Sequence, residues 1–273
     1  MAAAPPQAEG RRPSRLGAAF ADAVEGARHW PQWFTLGNID IKLRFRRSGL
    51  GPLWSTLSFA VLAAALGLVY SRLFGEPVST YLPYVVLGLF VWAFLASTLQ
   101  EACDVFVVAE HALKQFYVPR TTLVYRALWR NVVLLALNFV VVAAVLAFCG
   151  VRLGPSAPLA LAGIFILLLN LFPAALLLAL ATARFRAVSR IVQTGLPIGM
   201  LVTPVLWRPF TPELRHIAEI NPFHHAIELV RGPLLGAAPP LPVWLACAGC
   251  AFLLLFAALL AFGAARHRIA YWL

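Results

Sequence analysis

The chain has 273 residues, of which 61% are hydrophobic and only 12% charged, with a mean hydropathy of +0.81 and a formal charge of +11. Soluble domains carry about a quarter charged residues, so this composition excludes a soluble enzyme or nucleic-acid-binding domain and makes lipid the solvent for most of the chain. The basic excess reflects membrane topology and anionic headgroups rather than nucleic acid.

Residues 1–29 read as a loose cytoplasmic tail. Met1–Gly10 is rich in Ala and Pro, and Asp22 and Glu25 interrupt any apolar stretch after Arg11, Arg12 and Arg15, so no cleavable leader is expected. Residues 30–51 follow as an amphipathic interface helix and gate segment. Ile39, Ile41, Leu43 and Phe45 alternate with Asp40, Lys42, Arg44 and Arg46, a strand period. A lone strand at a membrane surface has no pairing partner, however. Read as helix, Leu36, Ile39 and Leu43 share one face and basic residues take the rest, the pattern of a helix lying in the interface. Gly51 and Pro52 punctuate the way into the first span, and Trp54 belongs at headgroup level.

Residues 52–273 read as an all-α transmembrane domain. Six stretches free of Asp, Glu, Lys and Arg are expected to span at Leu53–Ser71, Tyr81–Gln100, Asn131–Cys149, Leu159–Ala183, Ile191–Trp207 and Val243–Ala265. A hydrocarbon core of roughly 30 Å takes about 20 apolar residues as helix. Runs such as Ile164–Leu171 do not alternate, which rejects a barrel. After the second span, Val105–Pro119 is expected to form a short helix with Glu110 and Lys114 at i,i+4. In the fifth, Gly195 and Gly199 permit close approach and Pro197 invites a bend. The proline-broken segment Arg208–Pro242 is expected to dip back as short re-entrant helices around Ile217–Leu235, turning at Asn221–Pro222. Seventeen of the 22 Lys and Arg residues fall on the side of the termini, so both termini are expected in the cytoplasm.

Chemistry-bearing motifs are few. There is no GxxxxGK[ST] loop, and the only lysines, Lys42 and Lys114, follow no glycine-rich turn, so the chain is not expected to be an enzyme or to hydrolyse ATP itself. No ionisable residue stands clearly at mid-membrane, where ion-coupled transporters place them; Glu101 and Asp104 lie at a helix end and Arg190 at a helix start. Energy for transport must then come from another subunit. His224, His225 and Glu228 have metal-ligand types, but zinc sites usually need three ligands with open geometry, so local hydrogen bonding is expected and no metal. Cys247 and Cys250 have CxxC spacing in an apolar helix and read as core packing, as do Cys103 and Cys149. Tyr84, Trp92 and Phe94 are packing or belt residues or, where they face a pore, flat surfaces for sugar rings. A membrane-embedded glycolipid-processing enzyme would show acid, base or metal clusters at one face, and only His224, His225 and Glu228 approach that. A passive channel would need no ATPase.

The run Asp40-Ile-Lys-Leu-Arg-Phe-Arg-Arg-Ser-Gly-Leu-Gly-Pro-Leu-Trp54 resembles the DxKxRYRRSxLGPLW segment of the permease subunit of ABC type-2 polysaccharide exporters, the O-antigen and galactan exporter family. Tyr81-Leu-Pro-Tyr-Val-Val-Leu-Gly-Leu-Phe-Val-Trp92, Asn221-Pro-Phe-His-His225, Val230-Arg-Gly-Pro-Leu-Leu-Gly236 and Arg268-Ile-Ala-Tyr-Trp-Leu273 extend the similarity. Phe45 stands where the family usually has Tyr, and Gly49 where a larger apolar residue is common. The resemblance implies a homodimer in the bacterial inner membrane with the pore between protomers, joined to two ATP-binding-cassette ATPase subunits that bind ATP and Mg. It implies export of an undecaprenyl-pyrophosphate-linked polysaccharide, with teichoic acid as the nearest alternative cargo. Val105–Pro119, with Glu110, His111, Lys114 and Gln115, would couple to the ATPase, and Gly51, Pro52 and Trp54 would belong to the gate. Lys42, Arg44, Arg46 and Arg47 are cations at headgroup level and candidates to engage the pyrophosphate.

Overall fold

The computed structural model describes residues 14–46, 49, 51–115 and 119–273, and the described residues fold as helices α1 to α12. Five are long and apolar enough to cross a membrane: α3 (Leu53–Leu73), α4 (Val78–Val108), α6 (Thr121–Phe148), α7 (Leu159–Arg184) and α11 (Leu241–Ala265). α4 lies at the centre. It packs on α3, α6, α7, α8 and α10, and Val85, Val86, Leu87, Phe90 and Phe106 along it are inaccessible or nearly so. Its 31 residues reach about 46 Å at 1.5 Å per residue, which carries its last turns beyond the hydrocarbon.

The fifth expected span is shorter than its sequence suggested. α8 (Ala187–Val202) has 16 residues, about 24 Å of helix, and is an apolar helix below spanning length. It stops because Pro204 drives Thr203 out of the helical region, to ψ 138°. The following residues to Leu206 are buried without being helical. α9 (Pro212–Ile220) and α10 (Pro222–Leu234) come next, turning at Asn221. The Asn221 side chain accepts from Phe223 N–H at 2.9 Å to start α10 and donates to Thr203 Oγ1 at 3.0 Å, which ties the corner to the end of α8.

The first residues depart most from expectation. Instead of a loose tail, Arg15–Arg28 form α1, capped by Ser14, which accepts from Gly17 N–H at 3.1 Å. Ala19, Asp22, Ala23 and Gly26 make its buried face. Thr121 donates its N–H to Asp22 Oδ1 at 3.2 Å and its hydroxyl to the Asp22 carbonyl at 2.7 Å, so the carboxylate caps the first turn of α6 from another helix. α2 (Trp30–Arg44) is helical, as preferred over the strand, and presents Leu36, Ile39 and Leu43 outward together. It ends at Arg44, short of residue 51; Gly51 then takes φ +58° in the turn into α3.

The expected helix over Val105–Pro119 is divided. Val105–Val108 belong to α4, and α5 is only Glu110–Gln115. α12 (Ile269–Trp272) packs on α5 and α7. The loops counted as basic meet at one end of the bundle: Arg266 donates to the Ala18 carbonyl at 2.7 Å, and Arg184 lies 5.7 Å from the centre of the Trp272 indole. At the opposite end Arg208 pairs with Glu76 at 3.2 Å. Cys103, Cys149, Cys247 and Cys250 are free thiols.

Close packing of α10 on α7 depends on Gly163, where an added Cβ would lie 2.3 Å from the Leu229 carbonyl oxygen. Backbone cannot yield as a flexible side-chain tip can, so Gly163→Ala should cost about 1–3 kcal/mol and lower the melting temperature of the detergent-solubilised protein. Gly249→Ala, where the added methyl meets nothing, should leave it unchanged or higher.

Candidate functional site

Where α2 crosses the inner ends of α4 and α6, five charged side chains form one network. Asp40 lies between two guanidinium groups from successive turns of α6. Arg126 grips it with both nitrogens, Nε at 2.7 Å, and Arg130 donates from Nη1 at 2.6 Å. Arg130 also donates from Nη2 to Glu101 of α4 at 3.1 Å, Asn131 donates to the same oxygen at 3.1 Å, and Arg44 reaches the other oxygen at 2.7 Å. Three cations thus share two carboxylates across three helices. Burial alone would raise the Asp40 carboxyl, but the Arg126 and Arg130 hydrogen bonds and charges outweigh it and hold the group below its ordinary 3.8. Trp129 donates to Asn38 at 3.2 Å and stacks near Trp33 and Phe34, which completes the seat of α2 on α6. Beside the network opens a cleft of about 540 Å³, lined also by Asp104.

The sequence candidates divide around this network. Arg44 pairs with Glu101 although its side chain stays more than half exposed, whereas Lys42 and Arg46 are exposed and make no ion pair among the described residues. Arg47 lies outside the described residues. Pro52 is the residue preceding α3, and Trp54 stands exposed in its first turn. On α5, Lys114 pairs with Glu110 at 2.6 Å, the expected i,i+4 contact; this hydrogen bond lowers the Glu110 carboxyl, and His111, Lys114 and Gln115 face outward. Arg126, Arg130 and the pairing of Glu101 were missed. Arg126 is 86 positions from Asp40, beyond any local pattern, although two arginines four apart before an apolar run signal a face in need of counter-charge.

A second polar assembly closes the opposite end. Here the non-helical stretch after α8 leaves carbonyls that lipid cannot satisfy, and side chains satisfy them. The Tyr84 hydroxyl lies 3.1 Å from the Pro204 carbonyl and 2.9 Å from that of Trp207, the Tyr81 hydroxyl donates to the Leu206 carbonyl, and Arg231 donates to the Pro204 carbonyl at 2.8 Å. Arg231, only 1% exposed, also pairs with Glu228, and its guanidinium lies 3.9 Å from the centre of the Tyr84 ring with that of Arg208 at 4.7 Å. Tyr84 is therefore held inside the protomer. Trp92 and Phe94 are also buried, Trp92 edge-on to Phe223. Of the metal-type residues, Glu228 is committed to Arg231 and His225 Nε2 lies 2.7 Å from the Glu219 carbonyl. His224 lies against His225 at 5.7 Å between ring centres.

A bundle of apolar helices with a charged helix clasped across one end is a multi-pass membrane protein. The chain belongs to the ABC-2 type transporter family, whose model matches residues 31–235, from the first turn of α2 to the end of α10. Two Klebsiella pneumoniae proteins named O-antigen export system permease protein RfbA are similar to it. One is 25% identical over 178 residues, covering 62% of this chain and 66% of that protein. The other is 26% identical over 86 residues, about a third of either chain. The matched stretches thus span from a third to just under two thirds of those relatives.

Asp40→Asn should remove the charge that two guanidinium groups share and cost about 2 kcal/mol, read as a lower melting temperature in detergent. Because the folded Asp40 pKa is depressed, its contribution is present above 3.8 and is lost as pH falls through the folded value. The difference in melting temperature between wild type and variant should stay constant from neutral pH down to the ordinary carboxylate value and shrink below it. A difference that vanished already near neutral pH would contradict this role.

Proposed function

We propose that the chain is the transmembrane subunit of an ATP-driven exporter that moves an undecaprenyl-pyrophosphate-linked polysaccharide from the cytoplasm to the periplasm. The observation that carries this reading is the seating of α2. An amphipathic helix, apolar toward lipid through Leu36, Ile39 and Leu43, is clamped by Asp40 and Arg44 while Lys42 and Arg46 remain outward. An anionic headgroup at the membrane surface would meet Lys42 on this helix and Arg46 just past its end, neither of them ion-paired among the described residues. The family membership supports the transporter part of this reading, and the names of the two Klebsiella relatives support an O-antigen-like cargo.

In this reading α8 completes a sixth crossing with the non-helical stretch and the corner that follow it, α10 is re-entrant, packed on α4, α7 and α11, and α9 is the arm that leads into it. The end bearing α1, α2, α5 and α12 faces the cytoplasm of the inner membrane, which puts the basic loops where the positive-inside tendency requires. Two copies would form the pore. α5, with Glu110, His111, Lys114 and Gln115 on the cytoplasmic end of α4, would receive the ATPase. ATP and Mg would be held by that partner.

Deletion of the gene should leave lipid-linked polymer in the cytoplasm and strip the polysaccharide from the cell surface; an unchanged surface would refute the assignment. In the complemented strain, the combined variant Lys42→Gln, Arg46→Gln and Arg47→Gln should insert and bind its ATPase normally. Its export should fall by about tenfold or more, the worth of one or two charge-assisted hydrogen bonds.

A further inference from the structure

α5 has six residues, under two turns of helix and too few to hold its own shape. Its place is set by what it touches. It continues from the end of α4 and packs on α12, which in turn packs on α7. Within α12, Ile269 is fully buried and Trp272 half-buried, and both join the apolar core that also receives Leu113 of α5. Tyr271 takes no part in that packing: it is 88% exposed, and Phe185, just past the end of α7, is 62% exposed. Arg184 links Phe185 to α12, its guanidinium lying 5.4 Å from the Phe185 ring centre and 5.7 Å from that of Trp272.

Lipid tails do not reach these rings. α4 carries its last turns beyond the hydrocarbon, α5 continues from there, and α12 lies against α5. Aromatic rings gathered and left open on the water side of a membrane protein mark a protein contact. The surface around them is basic. Lys114, Arg184, Arg186 and Arg268 are exposed, and of these only Lys114 makes an ion pair among the described residues, to Glu110. The complementary partner surface is an apolar cleft rimmed by carboxylates.

We infer that α12 is a docking element for the ATPase alongside α5, seating α5 through Ile269 and Trp272 and offering Tyr271 as an aromatic anchor to an acid-rimmed cleft of that subunit. The identity of the partner rests on the exporter reading. The ATPase is the soluble body which that reading places on this face, and two helices in contact meet it together. Movement delivered through α5 reaches α4, whereas movement delivered through α12 reaches α7, so the second contact gives the partner a hold on a second span.

The test uses the full chain in nanodiscs, with Tyr271→Cys labelled by a membrane-impermeant maleimide before and after its cognate ATPase is added. None of the four native cysteines is exposed, so wild type sets the background. The new thiol should label rapidly in the chain alone and several-fold more slowly with the ATPase bound. Tyr271→Ser should weaken ATPase binding by about tenfold and Tyr271→Phe should keep it. Neither should move the melting temperature of the chain alone, since the ring buries almost nothing. A thiol already shielded in the chain alone means that bilayer or a second copy covers Tyr271, and overturns the inference. Equal labelling with the ATPase demonstrably bound, or unchanged binding by Tyr271→Ser, also overturns it while leaving the exporter reading standing. An ATPase that does not bind wild type removes the partner and the exporter reading together.

Discussion

Lipid offers a polypeptide neither hydrogen bonds nor counter-charge, and the architecture of this chain follows from that constraint. The break in helical regularity after α8 has side chains assigned to it. Where α8 stops before Pro204, the carbonyls it would have used are met by Tyr81, Tyr84 and Arg231. Charges obey the same rule. Arg231 is buried with Glu228 and a tyrosine ring, and Asp40 and Glu101 are each shared by two arginines. A charge buried without a partner would cost several kcal/mol, so these groups are fixed in number and place, and the helices are fixed with them.

The two assemblies differ in what they hold. At one end, close-packed backbone and aromatic rings make a static closure, with Gly163 admitting the Leu229 carbonyl and Gly88 lying against Val205. At the other, long guanidinium side chains bind a surface helix to the bundle through partly exposed ion pairs, the Arg44 side chain being more than half exposed. Such contacts reach water and exchange partners readily. The clamp on α2 is thereby adjustable in geometry.

Five of the six expected spans and the turn at Asn221 were legible in the sequence because hydropathy and proline act locally. The helical character of α2 was legible too, once a lone strand was excluded. α1 was not: charged residues scattered through Arg15–Arg28 broke the apolar pattern, and its buried face is made of Ala and Gly around one carboxylate whose partner, Thr121, lies 99 residues on. The end of α8 was misplaced although Pro204 marked it, because the apolar run continues to Trp207 and composition outweighed backbone preference. Among site residues, the cations of α2 stood out by number alone. That Arg44 is paired while Lys42 is not depends on where Glu101 lies, a relation between helices that no spacing within α2 encodes.

Both assemblies are anchored on α4. Tyr84 and Glu101 are 17 residues apart on the same helix, about 26 Å along its axis, with no proline between them. The helix therefore acts as a rigid lever with a polar fastening at either end. It cannot tilt to loosen the ion pairs around Glu101 without also swinging the tyrosine that braces the far corner. Movement at the surface helix and closure at the opposite face are consequently one mechanical degree of freedom rather than two.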